Sequence, residues 1–143
     1  MTDKTIYLSG AITNIPEIEA NQWRIELKQK LEAVSSHVHV FNPVAHYSFE
    51  DIKSGLVSDR EIMETELYKL RRSDIVIVNF FHSSTSLGTM AELAIAYELK
   101  IPIIGLNVNN ESLHPWQFAM VHKIFKDSEA LFLYMVDHFI NDD

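Results

Sequence analysis

The 143 residues contain no cysteine. That removes disulfides, thiolate zinc sites and a cysteine nucleophile, and makes a reducing, cytoplasmic setting the natural expectation. Positive charge is scarce as well: 12 Lys and Arg stand against 20 Asp and Glu, for a formal net charge of −8. Binding to a nucleic-acid polymer is driven by clustered Lys and Arg, so no such partner is expected. Arg71-Arg72, the only adjacent basic pair, reads as the polar end of a helix. No apolar stretch approaches the roughly 18 residues that would span a bilayer. Met-Thr-Asp-Lys at the N-terminus lacks the basic flank and apolar core of a signal peptide. The seven histidines show no ligand spacing: His37 and His39 are two apart on a strand and His46 stands alone, so no metal is expected. A soluble chain meeting a small ligand or a protein partner remains.

What is present is a core. Hydrophobic residues make up 47% of the chain, enough for one domain over residues 1–143 without metal or disulfide staples. Thr5-Ile-Tyr-Leu-Ser9 reads as a first strand, ended by Gly10. The turn to Pro16 leads into a helix from about Glu17 to Val34, with Ile18, Trp23, Ile25, Leu27, Leu31 and Val34 as its apolar positions. Val38-His-Val-Phe41 is a second strand, stopped by Asn42-Pro43. Residues 44 to 56 lack a clear period and read as a lid or specificity loop, whose Tyr47 and Phe49 either stack on a planar base or plug the core. Ser58 caps a helix running to about Arg72, with Glu61 at the capping-box position. Asp74-Ile-Val-Ile-Val-Asn-Phe-Phe81 is a buried strand, Met90 to Lys100 a helix and Ile101 to Leu106 a fourth strand. A polar loop, a short helix over Trp116 to His122, a strand over Lys123 to Lys126 and a helix capped by Ser128 complete the order.

Alternating strands and helices demand an α/β fold: a single-domain, doubly wound, mainly parallel five-stranded sheet of flavodoxin-like or Rossmann-like order. In the order 2-1-3-4-5 the switch point lies between strands one and three, so the Ser9–Thr13 turn faces the stretch Ser83 to Glu92 across one crevice. In that stretch Ser86 is either a helix cap or a hydrogen-bonding group for a ribose or phosphate oxygen, and Thr89 shares the latter role. Gly88 would let a ligand approach the backbone. Glu92, about one turn into its helix, is placed to reach back over the helix N-terminus, where the dipole favours its ionised form. Ser9, Gly10 and Thr13 either serve a ligand or form an ordinary strand-to-helix connection. Asp74, at the opposite end of its strand, reads as structural.

Ile6-Tyr-Leu-Ser-Gly-Ala-Ile12, Glu66-Leu-Tyr-Lys-Leu-Arg-Arg-Ser-Asp74 and Leu87-Gly-Thr-Met-Ala-Glu-Leu93 occur in that order, and together they resemble the nucleoside 2-deoxyribosyltransferase family and its relatives, the deoxynucleoside 5′-monophosphate N-hydrolases. The resemblance implies a retaining reaction in which Glu92 attacks the anomeric carbon and another base or water resolves the glycosyl ester. It implies Tyr7 as the orienting partner of Glu92, and Glu66, where Asp is usual, as a carboxylate near base and sugar. It implies a substrate-binding set of Ser9, Gly10, Ala11, Ile12, Thr13, Asn79, Ser86, Gly88 and Thr89, with Thr13 standing where the N-hydrolases often carry Arg. No cofactor is implied. The partners would be a nucleoside or nucleotide and an acceptor nucleobase. A homo-oligomer is implied, its site near a subunit interface to which Leu113 to Met120 contribute; Phe80 and Phe81 would serve that interface, the base pocket or the core. The competing reading is a catalytically silent nucleotide-binding module using the same crevice. A phosphoribohydrolase similar to the cytokinin-activating enzymes is disfavoured, because Ser83-Ser-Thr-Ser-Leu-Gly88 lacks their Gly-Gly motif.

Overall fold

The computed structural model describes residues 2–46, 49–82, 84 and 86–141. Its sheet is built from β1 (Lys4–Gly10), β2 (Val38–Phe41), β3 (Ile75–Asn79), β4 (Ile103–Leu106) and β5 (Lys123–Phe125), in the order β2-β1-β3-β4-β5. Every pairing is parallel, and the register of the central pair runs from Ile6 opposite Ile75 to Gly10 opposite Asn79. The continuous apolar runs of the sequence account for this: all five residues of β3 are buried, as strands covered on both faces require.

Seven α-helices flank the sheet among the described residues: α1 (Glu17–Glu32), α2 (Pro43–His46), α3 (Phe49–Lys53), α4 (Asp59–Arg71), α5 (Leu87–Glu98), α6 (Pro115–Met120) and α7 (Ser128–Met135). The last runs on into a wider π-type turn over Val136–Ile140. Residue alternation in the strands divides the core in two. Ile6, Leu8, Ile75 and Ile77 pack with Leu27 and Leu31 of α1 and Leu131 and Met135 of α7. Tyr7, Val76, Val78 and Phe80 pack on the other face with Leu70 of α4 and Leu93 and Ala96 of α5. Helices α1 and α5 therefore leave adjacent strands towards opposite faces, which opens the crevice at the C-terminal edge of β1 and β3.

Several expected boundaries shift for identifiable reasons. Residues 44 to 56 are not one loop: α3 and all but the first residue of α2 fall within them, each helix too short to show a period. Tyr47 and the Phe49 side chain lie outside the described residues, as do Ser83 and Thr85. The third strand ends at Asn79 and not Phe81, because Asn79 Oδ1 accepts the Phe81 N–H at 3.1 Å and turns the chain. The cap of α7 is Asp127, which accepts the Ala130 N–H at 2.7 Å, and Ser128 is the first helical residue. Helix α4 begins as expected, with the Ser58–Glu61 capping box complete. Asp74 is structural: its Oδ2 accepts the Thr5 N–H at 2.8 Å at the far edge of the sheet. No described helix is long and apolar enough to cross a membrane.

Candidate active site

Strand β1 presents Tyr7 and Ser9, two residues apart, to the same side of the sheet. Helix α5 meets them there, because its buried stripe of Thr89, Leu93 and Ala96 rests on that face and carries Glu92 inward. Both oxygens of the Glu92 carboxylate are engaged: Tyr7 Oη donates to Oε2, and Ser9 Oγ donates to Oε1 at 2.8 Å. Ser9 and Tyr7 are fully buried, and the Tyr7 ring stacks on Phe41 with centroids 5.6 Å apart. The carboxylate is thus fixed from below by two hydroxyls.

Its electrostatics differ from the dipole argument. Glu92 lies in the second turn of α5, beyond the range over which a helix terminus acts strongly. Burial pushes its pKa up, while the hydrogen bonds from Tyr7 and Ser9 and the nearby charge of Arg24 oppose that shift. Tyr7 is pushed far up, by burial first and then by Glu92 and Glu66, so it remains a proton-bearing donor. Glu66 projects from α4 into the same half-buried space and is raised from 4.5 to about 7, by burial first and then by the charge of Glu92. Two carboxyl groups share the crevice: Glu92, whose ionised form is favoured by two hydroxyl donors against the burial that opposes it, and Glu66, raised to about 7.

Arg24 completes the cluster and has no counterpart in the sequence-based expectations. It is fully buried, donates through Nη2 to Gly10 O at 2.9 Å and through Nη1 to Ala20 O, and packs against the Trp23 ring at 4.7 Å. Burial lowers its pKa to about 10, still charged at neutral pH. A signal for it exists in the spacing: Ala20, Arg24, Leu27 and Leu31 form the buried stripe of α1, whereas the expected Ile18 is 70% exposed and Ile25 is at the surface.

The other expected residues divide. Gly10 is glycine because α1 packs against it: a Cβ there would meet Trp23 at 3.0 Å and Arg24 Nη2 at 3.3 Å. Ala11 is buried, Ile12 half-buried and Thr13 exposed at the crevice, in a turn that contains Asn14 at φ 64°. Ser86 is the N-cap of α5, accepting the Thr89 N–H at 3.3 Å, and its hydroxyl also bonds Thr89 Oγ1 at 2.6 Å. Thr89 is buried, and its hydroxyl is engaged with that of Ser86. Gly88 is exposed, with nothing within 4 Å of a Cβ placed there. Asn79 lies on the α1 side, where it lines a groove of about 320 Å³ with Trp23, Phe81 and Val108, apart from Glu92. Phe80 is core, Phe81 lines the groove, and Trp116 and Phe118 are exposed on α6. His37 and His39 contact the Asp3 carboxylate at 2.7 and 3.6 Å; among the described residues no three His, Asp or Glu are grouped to hold a metal.

A parallel α/β sheet whose switch-point crevice holds a half-buried, hydroxyl-braced carboxylate defines a ligand-binding scaffold of the doubly wound class. The family model described as nucleoside 2-deoxyribosyltransferase like matches residues 3–109, and the chain belongs to that family. No curated protein sequence matches the chain. Among solved structures, a 2-deoxyribosyltransferase from Bacillus psychrosaccharolyticus superposes with a TM-score of 0.73 at 20% identity, over 91% of each chain. A conserved protein from Enterococcus faecalis V583 gives 0.74 at 14% identity, over 92% of this chain and 96% of that one. The CMP N-glycosidase of Clostridium botulinum gives 0.61 at 18% identity, over 93% and 99%. At these identities the likeness establishes the shared fold.

Proposed function

We propose that the protein cleaves the N-glycosidic bond of a nucleoside, deoxynucleoside or 5′-monophosphate through a covalent intermediate on Glu92. The observation that carries this reading is the pairing of a carboxylate braced by Tyr7 and Ser9 with a second carboxyl group, Glu66, that stays protonated to about pH 7. A Glu92 oxygen forms a bond to the anomeric carbon as the bond to the base nitrogen breaks. The electron pair stays on that nitrogen, which takes the Glu66 proton. Water or an acceptor base then attacks the same carbon, Glu92 leaves as carboxylate, and Glu66 recovers a proton from the attacking group. Tyr7 and Ser9 hold the nucleophile at a fixed angle through both half-reactions. Ser86, Gly88 and the turn Ala11–Thr13 border the crevice where the sugar and its 5′ substituent would lie. The family membership and the activities named for the Bacillus and Clostridium proteins support the reaction class.

The test is incubation of the protein and Glu92→Ala with deoxynucleosides, CMP and the deoxynucleoside 5′-monophosphates, with and without a free acceptor base. Products are separated chromatographically, and the protein is weighed by intact mass spectrometry. Expected are free or exchanged base and a glycosyl adduct with the wild type, and neither with the variant. Acceptor dependence then assigns transferase or hydrolase. Binding without cleavage would overturn the catalytic reading and leave a nucleotide-binding module.

A further inference from the structure

We infer that Arg24 is a positioning residue for this reaction, clamping the end of β1 through the Gly10 carbonyl so that Ser9 and Tyr7 present Glu92 as an ionised nucleophile. The inference rests on the proposed role of Glu92. Its geometry is a short chain of contacts: Arg24 Nη2 holds Gly10 O at 2.9 Å, the adjacent Ser9 donates to Glu92 at 2.8 Å, and Tyr7 of the same strand donates to the other oxygen. A helix in need of packing alone would place Leu or Met at this position of its buried stripe. A fully buried guanidinium carries a desolvation cost of several kcal/mol, which an apolar side chain would not incur.

The site also leaves part of that charge uncommitted. Among the described residues, Arg24 Nε is the buried side-chain nitrogen that finds no hydrogen-bond acceptor. Two neutral carbonyls and the Trp23 ring take up the rest of the fork, so the positive field extends towards the crevice, where it acts on both Glu92 and Glu66. The fit is tight at Gly10, where a β-carbon would stand 3.0 Å from the Trp23 ring and 3.3 Å from Arg24 Nη2, so that both would have to give way. Arg24 thereby favours the ionised forms of Glu92 and Glu66 against the burial that opposes them.

The experiment compares Arg24→Gln, which keeps an amide donor without charge, and Arg24→Lys, which keeps charge without the fork. Carboxyl titration is followed by carbon-13 NMR of labelled glutamate side chains, assigned with Glu92→Gln and Glu66→Gln, in the absence of substrate. In Arg24→Gln both carboxyl titrations are expected to move to higher pH, since a cation that favoured their ionised forms is gone. Both limbs of the pH–rate profile should move with them, with kcat/KM about tenfold lower on the acid side, one factor of ten for each pH unit of displacement. Arg24→Lys should restore the titrations but lose about tenfold in kcat with KM little changed, because a single ammonium does not span both carbonyls. A folded Arg24→Gln protein with unmoved carboxyl titrations overturns the inference. If that variant does not fold, the wild type decides: the Arg24 Nε–H resonance should follow the carboxyl titration and lose that response in Glu92→Gln, and a signal flat with pH overturns the inference. If the wild type cleaves no N-glycosidic bond, the enzymatic reading fails, while these titrations still report on Arg24.

Discussion

Replacing Glu66 by Gln separates the electrostatic account of the site from any account based on packing. The neutral acid and the amide are nearly isosteric, so at about pH 4, where Glu66 is largely protonated in both the folded and the unfolded chain, the substitution should leave stability almost unchanged. Above neutrality the wild type carries a charge in a half-buried site beside Glu92, and the variant does not. Glu66 is raised from 4.5 in the unfolded chain to about 7 in the fold. A folded pKa above the unfolded one means that this group's stabilisation is fully present below 4.5 and is lost as pH rises through about 7. At about 1.36 kcal/mol per pH unit the displacement corresponds to roughly 3 kcal/mol, and partial exposure brings the expected figure nearer 2.

Glu66→Gln should therefore be more stable than the wild type by about 2 kcal/mol at pH 8, equivalent to a rise in Tm of roughly 7 °C, and indistinguishable from it at about pH 4. Urea unfolding at four pH values between these limits measures the difference directly. Activity should move the opposite way: without a proton to give the departing base, kcat should fall by about 10² to 10⁴, and the alkaline limb near pH 7 should vanish from the profile. A stability difference constant with pH, or of opposite sign at pH 8, would refute the placement of Glu66 beside an ionised Glu92. Wild-type kcat retained at neutral pH would refute its role as the acid.

Tyr7→Phe keeps the ring on Phe41 and removes only the donor to Glu92, so it should raise the carboxyl titration of Glu92 and lower kcat about tenfold or more, with the fold intact by circular dichroism. Gly105→Ala would place a β-carbon 2.7 Å from Phe80 and 3.2 Å from Val121, and thermal unfolding should show a loss of about 1–3 kcal/mol. Asp127→Ala should cost about 1 kcal/mol by denaturant titration and Ser128→Ala much less, a contrast that would reverse if Ser128 were the cap.

The sheet was readable because parallel strands buried on both faces demand continuous β-branched runs, and Ile75 to Val78 has no other soluble use. The capping box at Ser58 was readable from two residue types at a fixed offset. Asp127 and Ser128, by contrast, are adjacent residues of which either can cap, and only the backbone decides which is extended. Helices α2 and α3 escaped because four or five residues are too few for a 3.6-residue period. At the site, strand alternation brings Tyr7 and Ser9 to one side and fixes Asn79 on the other, a consequence of β3 register that residue type alone does not express.

Arg24 shows where reading by residue class stops. A scan of α1 for apolar positions selects Ile18 and Ile25 and passes over an arginine, yet the helix turns Ala20, Arg24, Leu27 and Leu31 inward. The helix direction is set by Gly10, whose missing side chain lets Trp23 and Arg24 close on the strand. Rotating α1 to bury Ile18 instead would turn Arg24 away, free the Gly10 carbonyl and withdraw a cation that acts on Glu92 and Glu66. Burial of a methylene is worth about 0.8 kcal/mol, and above neutrality a charged Glu66 beside Glu92 would lose the nearby cation that offsets it. The orientation of the first helix thus bears on the charge of the crevice as well as on the hydrophobic pattern, and the fold and the proposed chemistry meet at this one residue.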